Sequence, residues 1–169
     1  MRFLRIRNAA IPVVALALLA AACGGSGSSS TGSGSHTSSG MSTISAASAT
    51  GVGTVLVDGS GRTLYMLTAD MGGRVTCTST PCTTLWPPLL VSSAPSAGTG
   101  ASASLLGTAS TANGKLQATY NNWPLYLYAG DSAAGQANGQ DIQSFGGVWH
   151  PLAKSGQPVS SSGISGRGH

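Results

Sequence analysis

Leu64-Tyr65, followed downstream by Trp86-Pro87-Pro88-Leu89, and Leu125-Tyr126, followed by Trp149-His150-Pro151-Leu152, are two statements of one pattern. An Asp stands five residues after the tyrosine in both copies (Asp70, Asp131), and the tryptophan follows at 86 − 65 = 21 residues in one and 149 − 126 = 23 in the other. Self-similarity at a fixed spacing marks a repeated structural unit. The folded part therefore reads as all-β, a small domain built from two tandem β-hairpin repeats.

Working outward, the first unit opens with Gly53-Thr54-Val55-Leu56-Val57, turns through Asp58-Gly59-Ser60-Gly61 and returns as Arg62-Thr63-Leu64-Tyr65-Met66-Leu67. Two β-branched or apolar runs around an Asp-Gly turn predict a hairpin. The second unit runs Lys115-Leu116-Gln117-Ala118-Thr119-Tyr120, turns at Asn121-Asn122-Trp123 and returns as Pro124-Leu125-Tyr126-Leu127-Tyr128. Asn tolerates the left-handed conformation that a tight turn requires. Pro87-Pro88 fixes an extended course and lacks two N–H donors, so that piece is expected to cap or edge the sheet, with Trp86 and Leu89 packed inward.

All four tyrosines and all three tryptophans fall between positions 65 and 149. The expected core spans 51–154: repeat 1 over about 51–91, a Ser/Ala/Gly/Thr-rich connector over 92–113, and repeat 2 over about 114–154. Residues 155–169 read as a disordered tail. The formal charge is +4, but Arg2, Arg5 and Arg7 sit at the extreme N-terminus, and removing them leaves five basic against four acidic residues. That balance is no electrostatic footprint for a nucleic acid.

Residues 1–22 have the three parts of a secretory signal: a basic start, an apolar run from Ala9 to Leu19, and small residues ending at Ala22. The run is shorter than the ~20 apolar residues that span a bilayer. Cys23 follows Ala20-Ala21-Ala22 and precedes Gly24-Gly25, an arrangement that resembles a bacterial lipobox, although Ala20 stands where lipoboxes usually carry Leu. There the cysteine takes a diacylglyceryl group and becomes the new N-terminus; cleavage at a plain Ala-x-Ala site is the alternative. Residues 23–50 read as the lipidated Cys and a Gly/Ser/Thr tether, with His36 solvated inside it.

The sequence Tyr126-Leu127-Tyr128-Ala129-Gly130-Asp131 matches the Tyr-x-aromatic-x-x-Asp signature of a bacterial lipoprotein family, the secreted repeat of unknown function. Gly61-Arg62-Thr63-Leu64-Tyr65, the Cys77…Cys82…Trp86-Pro87-Pro88-Leu89 run and Tyr120-Asn121-Asn122-Trp123-Pro124-Leu125-Tyr126 are similar to it as well. The resemblance covers 51–154 and makes Tyr65, Asp70, Trp86, Tyr126, Tyr128, Asp131 and Trp149 the motif residues; Leu67 departs from it, standing where the signature has an aromatic. It implies an exported, usually lipid-anchored repeat protein and no established activity.

With Cys23 committed to lipid, Cys77 and Cys82 most simply form a disulfide in an exported protein. Closing a loop of six residues is worth about 2 kcal/mol in the chain-entropy model, and its use would be to fix the turn before Trp86. Redox exchange and metal binding are the alternatives, yet the pair is neither Cys-x-x-Cys nor a haem motif. Asp70 and Asp131 past equivalent strand ends are expected to fix turns by accepting hydrogen bonds from the next backbone N–H groups; a Ca²⁺ site or an acid–base pair are the competing readings, and a Ca²⁺ site would want about six oxygen ligands. His150, with Cys77, Cys82 and Met66 or Met71, is the candidate for a copper or zinc site, on no recognised spacing. Trp123, at a turn, is the aromatic best placed to contact a partner.

The expectation is thus an exported lipoprotein at the outer face of the cell membrane, held through its N-terminal lipid. It is read as a non-catalytic binding or structural module with no cofactor, meeting an unidentified envelope protein or small ligand. The alternative is a metal-handling or electron-transfer lipoprotein using Cys77, Cys82, His150 and a Met. A hydrolase using Asp70 and Asp131 as a carboxylate pair is a third. No nucleophile elbow, phosphate loop or zinc-hydrolase helix is present in the sequence.

Overall fold

Leu64–Leu67 and Leu125–Tyr128 contain no charged residue, the composition of a strand covered on both faces. The computed structural model describes residues 42–161 and buries both segments in that way. The signal segment, Cys23, His36 and the chain beyond 161 lie outside the described residues. Side chains alternate along an extended chain: Leu64, Met66, Leu125 and Leu127 enter an aliphatic cluster with Ile44, Leu56, Leu89 and Leu152. Tyr65, Leu67 and Tyr126 enter an aromatic cluster with Cys77, Cys82, Trp86 and Trp149, against which Tyr128 packs half-buried.

Among the described residues the strands are β1 (Thr43–Ala49), β2 (Gly53–Val57), β3 (Tyr65–Leu67), β4 (Leu90–Val91), β5 (Ser96–Ala97), β6 (Leu106–Ser110), β7 (Leu116–Tyr120), β8 (Trp123–Pro124), β9 (Ile142–Ser144) and β10 (Gly147–Pro151), with one short α-helix, α1 (Thr80–Leu85), and two 3₁₀ turns, Thr68–Asp70 and Ala103–Leu105. They form three small sheets, ordered β2-β1-β5, β3-β10-β9 and β4-β7-β6, with β8 paired to β7. The pairings are antiparallel except β1–β5.

The two buried segments meet at Tyr65 and Tyr126, each backbone N–H donating to the other's carbonyl at 2.9 Å. Around them the hydrogen bonds recur in matched pairs. Leu64 N donates to Leu56 O and Leu125 N to Ala118 O, both at 2.9 Å. Leu89 N donates to Leu125 O at 2.9 Å, and Leu152 N to Leu64 O at 3.1 Å. Leu56 N donates to Leu152 O at 2.7 Å, and Ala118 N to Leu89 O at 2.9 Å. The tight turn between β7 and β8 uses Asn121 and Asn122 at φ of 49° and 62°, left-handed positions that Asn occupies at low cost.

Three boundaries differ from the expectation. The fold begins before 51, because β1 pairs with β2 over five positions and carries a fully buried Ile44. The 92–113 connector contributes β5 and β6, the latter paired with β7 over five positions, so each half has a strand ahead of the expected hairpin. In both places Ser, Ala, Thr and Gly supply backbone hydrogen bonds without bulky side chains. The chain past Ser155 also turns back: Leu152 bridges Pro158, Val159 N donates to Pro151 O at 2.8 Å, and Ser161 reaches Asp141.

Candidate functional site

Asp70 and Asp131 sit just past the ends of the two central segments, and both are buried. A buried carboxylate requires donors. The structure supplies them across the molecule rather than within one half: Tyr65 Oη donates to Asp131 Oδ2 and Tyr126 Oη to Asp70 Oδ2, each at 2.6 Å. The remaining oxygens take local donors. Asp70 Oδ1 accepts from Thr76 N at 2.9 Å and from Thr76 Oγ1, and Asp131 Oδ1 accepts from Asn138 N at 2.9 Å. The expected turn-fixing role is therefore modified in two respects: the backbone donors lie six and seven residues downstream, and a tyrosine from the other half closes each site.

Burial first, and then the neighbouring carboxylate, push the Tyr65 and Tyr126 hydroxyls far above the usual phenol range. Both are thus held as neutral donors. Gly139 N also donates to Tyr65 Oη, at 3.2 Å. A Cβ at Gly139 would lie 2.8 Å from Trp86 Cη2 and 3.0 Å from Tyr65 Cε1, so only glycine allows the loop this close to the rings.

The rings are in contact. Trp86 and Trp149 stack with centroids 4.0 Å apart and planes within 3°. Tyr128 lies 4.4 Å from Trp86, Tyr126 meets Trp149 edge-on at 5.1 Å, and Tyr65 meets Trp86 edge-on at 5.4 Å. Trp149 Nε1 donates to Ser144 Oγ at 3.1 Å, whereas the buried Trp86 Nε1 has no hydrogen-bond partner. All seven motif residues therefore come together in and around one cluster.

Cys77 and Cys82 are joined as a disulfide with Cα atoms 5.6 Å apart, both buried in that cluster. α1 brings Cys82 back; Pro81 stands in its first turn, where a missing N–H leaves no gap in the helix ladder. The candidate metal set is not assembled. The sulfurs are bonded to each other, Met66 points into the aliphatic cluster on the opposite side, and Met71 is exposed. His150 Nδ1 lies instead 2.8 Å from Asp141 Oδ1. Among the described residues no group of three or more His, Cys, Asp or Glu is placed to hold a metal ion. Trp123 is half-buried against the aliphatic cluster rather than free at its turn.

A second carboxylate centre was not singled out by the sequence reading. Asp141 Oδ2 accepts from Ser161 N at 2.9 Å and from Ser161 Oγ, fastening the C-terminal return. Burial by itself would raise the Asp141 carboxyl, but the Ser161 bonds and His150 hold it below the usual carboxylate range. Asp58 accepts from Ser60 N and Arg62 N and pairs with the Arg62 guanidinium at 3.0 Å, which fixes the turn after β2.

A small all-β domain with a disulfide buried against its aromatic core is a protein built for an oxidising compartment. Residues 107–153, from β6 through β10, match the family model described as a secreted repeat of unknown function; the first of the two expected copies, over about 51–91, lies outside the matched stretch. The description as a secreted repeat suggests a location in the envelope or outside the cell. No curated protein and no solved structure matches the chain. Among the described residues no helix is long and apolar enough to cross a membrane.

Proposed function

We propose that this protein is a lipoprotein of the cell envelope, anchored through diacylglyceryl-Cys23 at the outer face of the membrane, and that its folded domain is a non-catalytic binding or structural module. The observation that supports the non-catalytic part is the use of the acidic side chains. Asp58, Asp70, Asp131 and Asp141, the only acidic residues in the chain, are each engaged in fixing a turn, closing the two halves or fastening the C-terminal return. Asp70 and Asp131 are buried behind their donors, which speaks against a hydrolytic pair open to substrate. Support for the anchor is the Ala20-Ala21-Ala22-Cys23-Gly24-Gly25 run.

The anchor is tested by metabolic labelling of the full chain with a radiolabelled fatty acid, beside a Cys23→Ala variant. Label in the membrane fraction that is lost in the variant is the expected result. An unlabelled wild-type chain released to the medium would overturn the anchor while leaving the fold untouched.

A further inference from the structure

The buried Trp86 Nε1 without a partner and the two tyrosine hydroxyls on carboxylates lie in one contiguous set of rings, and proton acceptors are distributed unevenly over it. Oxidising an aromatic ring by one electron makes its N–H or O–H strongly acidic, so an oxidising equivalent settles where a base stands ready to take the proton. Trp86 has no such base, and Trp149 has only a serine hydroxyl. Tyr65 and Tyr126 each have a carboxylate oxygen at 2.6 Å. Tyr128, half-buried, is the part of the set nearest solvent and lies 4.4 Å from Trp86.

We propose that this cluster is a relay for one-electron oxidation, carrying an oxidising equivalent from Tyr128 through the stacked Trp86 and Trp149 to the buried Tyr126–Asp70 and Tyr65–Asp131 pairs. The oxidant is an organic peroxyl radical, a class of species met outside the cell. It takes one electron from the Tyr128 end and one proton from solvent, and becomes a hydroperoxide. The vacancy is filled from Trp86 and then from Trp149, which stack in direct contact. Tyr126 supplies the electron finally lost; its O–H bond breaks, and the proton passes to Asp70 Oδ2. The products are a neutral tyrosyl radical and a protonated Asp70. The Tyr65–Asp131 pair receives the equivalent directly from Trp86, its edge-on neighbour. The relay is independent of the lipid anchor and adds a chemical activity to a module otherwise read as inert.

The radical ends 0% exposed and flanked by rings, shielded from cross-linking with other molecules. That makes the cluster a sink for radicals rather than a source of damage.

The test uses the full chain with its disulfide intact and, as the probe, ruthenium(III) tris(bipyridine) generated by a laser flash. Transient absorption and electron paramagnetic resonance follow the protein radical. A tryptophan radical that gives way to a long-lived tyrosyl radical, with the second step slowed in D₂O, is expected for the wild type. Tyr65→Phe combined with Tyr126→Phe should abolish the tyrosyl phase and leave the oxidation on tryptophan; each single variant should retain a reduced tyrosyl signal. Tyr128→Phe, at the half-buried end, should slow the first step and leave the final radical unchanged. Oxidation confined to Tyr128 in the wild type would overturn the proposal. So would an unchanged tyrosyl signal in a double variant with native near-ultraviolet circular dichroism. The wild-type isotope effect and the Tyr128→Phe rate decide the matter even where the double variant does not fold.

Discussion

Tyr126→Phe removes one hydroxyl from a fully buried ring and leaves the ring's packing in place. What is lost is a 2.6 Å donor to Asp70 Oδ2, while Asp70 keeps Thr76 N and Thr76 Oγ1 on its other oxygen. A hydrogen bond to a charged group contributes about 1.5–3 kcal/mol, and the exposed alternative of rehydrating the carboxylate is closed by burial. The expected cost is about 2–3 kcal/mol, a large part of the stability of a small domain. Urea unfolding with the disulfide intact measures it by linear extrapolation. The informative form is a double-mutant cycle. Tyr126 should couple to Asp70, in the other half, by ~1 kcal/mol or more, as contacting residues do. With Asp131, five residues along its own half, it should show little coupling. A cycle in which Tyr126 couples to Asp131 and not to Asp70 would refute the crossed arrangement.

Three further outcomes are expected. The folded-state pKa values of Tyr65 and Tyr126 are raised above the unfolded value, so their stabilisation is complete below pH ~10 and declines as pH rises beyond it; above that pH, Tyr126→Phe should flatten the fall in unfolding free energy by about 1.4 kcal/mol per pH unit, read from urea titrations at a series of alkaline pH values. Gly139→Ala places a Cβ 2.8 Å from Trp86 Cη2 and should cost about 1–3 kcal/mol through overpacking, with a changed Trp near-ultraviolet spectrum. Asn122 is exposed at φ 62°, so Asn122→Ala should lower thermal stability by ~1 kcal/mol while Asn122→Gly leaves it nearly unchanged, a contrast calorimetry can read.

The central part of the fold was legible because it is carried by large side chains. Leu64–Leu67 and Leu125–Tyr128 announce strands and Asn121-Asn122 announces a turn, but burial of the tyrosine faces was not legible, because an aromatic side chain suits a binding surface as well as a core. The Cys77–Cys82 disulfide before Trp86 was legible from the chemistry of an exported chain with two cysteines left after Cys23. β1 and β6 were not, since Ser, Ala, Thr and Gly pair through the backbone as well as they solvate a tether, and only Ile44 in β1 hinted at burial. The crossed Tyr–Asp bonds escaped for a different reason. With Asp five residues after Tyr in both copies, pairing within a half and pairing between halves have the same sequence signature, and only the antiparallel meeting of Tyr65 with Tyr126 decides between them. Ser161 was read as tail because nothing in its composition reveals that Asp141 awaits it.

The most direct measurement on the account as a whole is the intact mass of the exported protein, recorded under native conditions without and with reductant. The account predicts a chain beginning at Cys23 with a diacylglyceryl mass, a two-proton deficit at Cys77 and Cys82 that reduction restores, and no stoichiometric metal adduct. Reduced cysteines with one bound copper or zinc ion would contradict it and return the protein to metal handling; a chain starting elsewhere without lipid would remove the anchor.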